Sequence, residues 1–206
     1  NCNLDKSMNT YPQNSSTLYQ IKNPGNYTLK NVKYGMRFLQ YPEKTPDWRE
    51  LIKVKALGKI IKMNLPRLRY EKQYALYDYT AAGLYNKDLN RVEIDLKISC
   101  TISELDDIKS DVFTLVEELK DGKVSKELFP ELTEYLRHTY SESRLNKHRE
   151  VQERLYQHYR YDREWVNSKT YLKFIDSLTP DDIITTAKAY LKQTHLTEFE
   201  MKNEER

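Results

Sequence analysis

Glycine is scarce in this chain, with 5 among 206 residues. That argues against a Gly-rich phosphate-binding loop and against a small barrel dense in tight turns. Cysteine is scarcer still: Cys2 and Cys100 stand far apart. Neither belongs to a Cys-x-x-Cys pair, which excludes a zinc ribbon or a thioredoxin-like centre, and the redox compartment stays open. No apolar run approaches the roughly 18 residues of a membrane span, so none is expected. The first residues are polar, and no signal peptide is predicted. Neither sign of charge dominates, since 34 Lys+Arg stand against 31 Asp+Glu for a net +3. The Lys and Arg residues form no basic block, and no aromatic-basic module accompanies the 17 tyrosines. Nucleic acid is therefore not an expected partner.

The chemistry of a self-sufficient active site is also missing. The four histidines are His138, His148, His158 and His195, and no two stand at the i, i+4 spacing that puts two imidazoles on one metal. There is no His-Glu-x-x-His, no His-x-x-Glu-His, no Gly-x-Ser-x-Gly elbow and no Gly-x-x-x-x-Gly-Lys loop. The adjacent acids Asp106-Asp107 and Asp181-Asp182 read as carboxylates placed at the positive ends of helices.

What is present is a globular pattern with 38% hydrophobic residues. Residues 1–28 are rich in Asn, Ser, Thr, Pro and Gln and read as a linker or irregular lead-in, leaving 29–206 as a single domain. Val32, Tyr34, Met36 and Phe38 alternate with polar residues as in a half-buried strand. Asp47 then precedes a helical spacing of Trp48, Leu51, Ile52, Ala56, Ile60 and Met63, with Gly58 a weak spot and Pro66 closing the segment. Residues 74–85 and 91–100 read as a hairpin around Asn86–Asn90, with Val92, Ile94, Leu96, Ile98 and Cys100 on its core face. Cys100 reads there as a small buried hydrophobe.

The remainder is mostly helical. Ser103 with Asp106 resembles a capping box, and Gly122 stops the helix that follows. Ser125 is placed to cap the next helix. The charged stretch 141–164 reads as helix or helix-turn-helix, anchored by Leu145, Val151, Leu155 and Tyr159. Thr179-Pro180-Asp181-Asp182 is a strong helix start: a cap, a proline at the first position, then acids. Thr197, Phe199 and Met201 alternate as a closing strand. Together these predict an α+β fold: an antiparallel sheet of about four to six strands with helices packed on one face.

The order of these elements and three short stretches resemble the C-terminal, non-metal-binding domain of the insulinase-like (pitrilysin) zinc metallopeptidases. Leu68-Arg69-Tyr70-Glu71-Lys72-Gln73 with Tyr77 resembles the family's Leu-Arg-Glu…Tyr motif between a helix and the next strand. Asp121-Gly122-Lys123-Val124-Ser125-Lys126-Glu127-Leu128 resembles its Gly-x-x-x-x-Glu-Leu turn, and Ser177–Ile183 with Ala187, Tyr190 and Leu191 resembles its terminal signature. The likeness covers about residues 30–202. It departs at the motif tyrosine, whose position holds Leu76; Tyr77 stands one residue later and Tyr74 two residues earlier. A one-residue bulge would return Tyr77 to the expected face.

The resemblance implies a division of labour. A separate N-terminal domain or subunit would hold zinc, and this chain would close over it and help bind peptide substrate. Arg69 and Tyr77 are the implied substrate-binding residues. No catalytic residue, metal ligand or cofactor is implied in this chain, which alone would be inactive. A guanidinium suits a peptide carbonyl or carboxylate, and a phenol suits the oxyanion that grows on a scissile carbonyl. For Arg69 the competing reading is a surface ion pair with Glu71; for Tyr77 it is an ordinary cross-strand aromatic. The alternative function is a catalytically silent scaffold that binds a protein partner. The resemblance and the polar lead-in suggest a cell-envelope or secreted location.

Overall fold

Residues 17–22, 31–123 and 127–202 are described in a computed structural model of the chain. Cys2, the rest of the lead-in and Ser125 lie outside them. The strands are β1 (Thr17–Lys22), β2 (Val32–Gln40), β3 (Asp78–Asn86), β4 (Arg91–Cys100) and β5 (Leu196–Lys202), which form one sheet in the order β1-β5-β2-β4-β3. The helices are α1 (Trp48–Tyr70), α2 (Leu105–Lys120), α3 (Leu128–Thr139), α4 (Glu142–Leu145), α5 (His148–Tyr161), α6 (Ser168–Ser177) and α7 (Pro180–Tyr190). The fold is α+β, and β5, β2, β4 and β3 pair antiparallel.

β1 lies within the stretch expected to be an irregular lead-in, and it pairs parallel with β5, so the sheet is mixed at that edge. Its sequence Thr-Leu-Tyr-Gln-Ile-Lys is dense in strand formers, and a partner strand at the far end of the chain supplies the ladder. The strand alternation in β2 and β4 holds as read. Val32, Tyr34, Met36 and Phe38 are buried opposite Cys100, Ile98, Leu96 and Ile94. Burial pushes the free Cys100 thiol up to about 11, as befits a core residue.

β5 inverts the simplest reading of its alternation. Phe199 lies opposite Gly35 on the outer face, where a Cβ on Gly35 would stand 2.0 Å from the Phe199 ring. The core face of β5 instead carries Glu198 and Glu200. Tyr34 donates its hydroxyl to Glu198 at 2.6 Å, and Lys109 of α2 pairs with the buried Glu200. A carboxylate tolerates such a position only when it is paired. On the outer face, Arg37 forks onto Asp95 through bonds of 2.6 and 2.9 Å.

α1 begins where Asp47 accepts the Glu50 N–H at 2.9 Å. It does not end at Pro66 but runs on to Tyr70. Pro66 removes one helical donor, yet Leu65 and Leu68 are buried on either side of it, and that packing carries the helix through. Gly58 is less a weak spot than a contact. Its ideal Cβ would stand 2.0 Å from the backbone nitrogen of Gly83, so α1 and β3 meet backbone to backbone. The contact fixes where the end of α1 lies relative to β3.

Two helix starts differ in fidelity to the sequence pattern. At α7 the expected capping box forms: Thr179 and Asp182 exchange bonds, and Pro180 opens the helix. At α2 the Ser103–Asp106 box does not form, because a 3₁₀ turn, Ile102–Glu104, precedes the helix. Glu104 instead accepts from Thr101 Oγ1 at 2.6 Å and from the Ala75 N–H at 3.0 Å. The charged stretch forms α4 and α5. Leu145 is buried as an anchor, but Leu155 and Tyr159 are exposed, because α5 buries no residue.

Candidate functional site

Arg69 sits in the last turn of α1, and Tyr77 immediately precedes β3. The connection between them is pinned at several points. Gln73 adopts a left-handed backbone with φ 60°, which turns the chain off the helix. Tyr74 donates its hydroxyl to Asp111 of α2 at 2.8 Å, and burial together with that carboxylate raises Tyr74 to about 12. Lys72 stands 3.5 Å from the same Asp111. Leu76 is buried, and the Tyr77 N–H donates to the Ser99 carbonyl at 2.9 Å, which begins the pairing with β4.

This anchoring leaves the two expected residues free at the surface. Arg69 is exposed, and the recorded neighbour of its guanidinium is the exposed ring of Tyr70 at 5.9 Å. Glu71, the competing partner for Arg69, pairs with Arg67 at 3.3 Å instead. Tyr77 is 57% exposed, and its hydroxyl has no hydrogen bond among the described residues. Nor do Arg69 and Tyr77 bond each other there. A cleft of about 200 Å³ opens between the end of α1 and α2, lined by Asn64, Arg67, Leu68, Lys72 and Asp111 among others, with neither Arg69 nor Tyr77 in its lining.

The two candidate tyrosines differ in their hydroxyls. Tyr74 is committed to Asp111, whereas Tyr77 is available. The β3–β4 register runs unbroken from Asp78↔Ser99 to Asn86↔Arg91. Asp111 and Glu104, which hold the connection in place, carried no signal in the sequence. They lie 37 and 29 residues from their partners, and only the docking of α2 brings them there. Among the described residues, no group of three or more His, Cys, Asp or Glu side chains could hold a metal ion.

No protein-family model matches the sequence, and it has no match among curated proteins. Its similarity lies in shape. The peptidase M16 inactive domain from Pseudomonas fluorescens superposes with a TM-score of 0.69 at 12% identity, over 92% of this chain and 43% of that one. The chain has the M16 peptidase fold. The first half of the periplasmic protease PqqL from Escherichia coli gives a TM-score of 0.72 at 10% identity, over 92% of this chain and 42% of that one. A predicted insulinase family protease from Yersinia pestis gives 0.65 at 12% identity, over 94% and 43%. The chain thus spans less than half the length of each of these M16-fold structures. No helix among the described residues is long and apolar enough to cross a membrane.

Proposed function

We propose that this chain is the non-catalytic C-terminal half of a zinc metalloendopeptidase. It closes over a zinc site held by a separate N-terminal domain and helps bind the peptide substrate. The observation that carries the reading is the exposed guanidinium of Arg69 at the end of α1, with no ion pair among the described residues, at a motif position in a chain with the fold of an M16 inactive domain. A guanidinium held on a rigid helix can fork onto a peptide carbonyl or carboxylate, and its charge strengthens each bond. Tyr77 offers a phenol that can donate to a developing oxyanion. In the partner half, zinc would supply the activated water and polarise the scissile carbonyl.

The test is hydrolysis of a quenched fluorescent peptide by this chain alone and by its mixture with the polypeptide, encoded with it, that carries a His-x-x-Glu-His motif. Activity that is zinc-dependent and confined to the mixture is expected. Stable association without hydrolysis would transfer the reading to a silent scaffold.

A further inference from the structure

A second cleft lies at the other end of α1, roughly 33 Å along the helix from Arg69 at 1.5 Å per residue. It encloses about 470 Å³ between the first turn of α1, Lys87 of the β3–β4 loop, and the α5–α6 connection. That volume is typical of a small-ligand site. Its walls include Trp48, Tyr161, Trp165 and Tyr171, and the chain's 2 tryptophans are both among them. Trp48 and Tyr171 meet edge to face at 5.3 Å, which fixes one wall.

The polar groups around the cleft are unevenly satisfied. The acids are largely engaged: Glu164 accepts from Trp48 Nε1 at 2.9 Å, Asp47 caps α1, and Asp88 accepts from the Tyr161 hydroxyl. Asp162 is exposed at the end of α5. Arg154 stacks over Trp165 at 4.3 Å and donates to the Val166 carbonyl. Lys87 stands 3.9 Å from Glu153, and burial, with the Arg163 charge nearby, draws its ammonium below the ordinary pKa against the pull of Glu153.

Arg163 is different. Its Nη1 donates to the Pro46 carbonyl and its guanidinium lies 5.1 Å from the Tyr85 ring centroid, but Nε and Nη2 are buried with no acceptor among the described residues. Those two N–H groups form one edge of the guanidinium, the edge that takes a carboxylate through two parallel bonds. Gln157 gives its amide nitrogen to Glu153, while its buried Oε1 has no donor among the described residues. Buried polar groups left in this state are costly, and such exceptions call for a partner. What is lacking is an acceptor of two hydrogen bonds and a donor of one, beside aromatic rings.

We propose that this cleft binds the C-terminal residue of a peptide: its free carboxylate on Arg163, its backbone N–H on Gln157 Oε1, and an aromatic side chain against Trp48 and Trp165. Engagement requires the guanidinium to swing off Tyr85 toward the cleft, a side-chain adjustment common on binding. The site uses neither zinc nor a second half, so it stands or falls apart from the peptidase reading.

The two tryptophans make the test direct. The 206-residue chain is titrated with N-acetyl-L-phenylalanine, with its neutral amide and with acetate, while tryptophan fluorescence is followed. A saturable change with the acid is expected, with binding at least tenfold weaker for the amide and no comparable change with acetate. Arg163→Met should weaken acid binding at least tenfold while the far-ultraviolet circular dichroism stays unchanged. The comparison of acid with amide needs no variant, so it decides the matter even if Arg163→Met fails to fold. No saturable change, equal binding of acid and amide, or full affinity in a folded Arg163→Met variant would overturn the proposal.

Discussion

Tyr74 and Tyr77 stand three residues apart and differ in how their hydroxyls are engaged. Tyr74 spends its hydroxyl on Asp111 at 2.8 Å, while the Tyr77 hydroxyl has no partner among the described residues. Tyr74→Phe should therefore cost about 1 kcal/mol of stability, the usual net worth of one hydrogen bond, and leave peptide hydrolysis by the reconstituted pair unchanged. Tyr77→Phe should do the reverse. Denaturation midpoints should stay within about 0.5 kcal/mol of wild type, as for other exposed positions. The hydrolysis rate should fall by about 10²-fold, the scale seen on losing an oxyanion donor. Urea denaturation and peptide kinetics on both variants check the pair. The sequence did not announce the Tyr74 contact, because its partner Asp111 reaches it from α2, 37 residues away. Arg69 lies exposed in the last turn of α1, where the helical spacing of its neighbours carries it.

Elements were readable where one face is apolar and the other wet. β2, β4 and the Thr179 cap follow their patterns because burial and capping chemistry act locally. β5 was misleading because its core-facing acids are paired by Tyr34 and Lys109, which no local pattern announces. α1 ran past Pro66 because its last turn is held by burial from outside the helix. The Gly58–Gly83 contact makes the point quantitative. Alanine is favoured over glycine in a helix by about 1 kcal/mol. Yet a Cβ at residue 58 would stand 2.0 Å from a backbone nitrogen that has little room to yield. Gly58→Ala should thus lower stability by about 1–3 kcal/mol or more, read as a fall in Tm. Thr179→Ala should cost about 1 kcal/mol by the same assay, because it removes the hydroxyl that accepts the Asp182 N–H.

At the scale of the whole molecule, the fold positions two surfaces at opposite ends of one helix. The end of α1 carries Arg69 next to the start of β3. The beginning of α1 forms part of the aromatic cleft, whose residues run from Thr45 to Tyr171 and are assembled only by topology. No window of sequence contained that cleft, whereas the α+β architecture followed from periodicity and element order alone. The chain spans 43% of the M16 inactive-domain chain it superposes on. The most direct measurement of its proposed role is kcat/KM for a quenched peptide in the zinc-loaded mixture of this chain with the proposed metal-binding half, wild type against Arg69→Ala. A charge-assisted hydrogen bond to substrate is worth about 1.5–3 kcal/mol, so the account expects a loss of roughly 10- to 100-fold with unchanged association of the halves. Equal kcat/KM for the two proteins would contradict it.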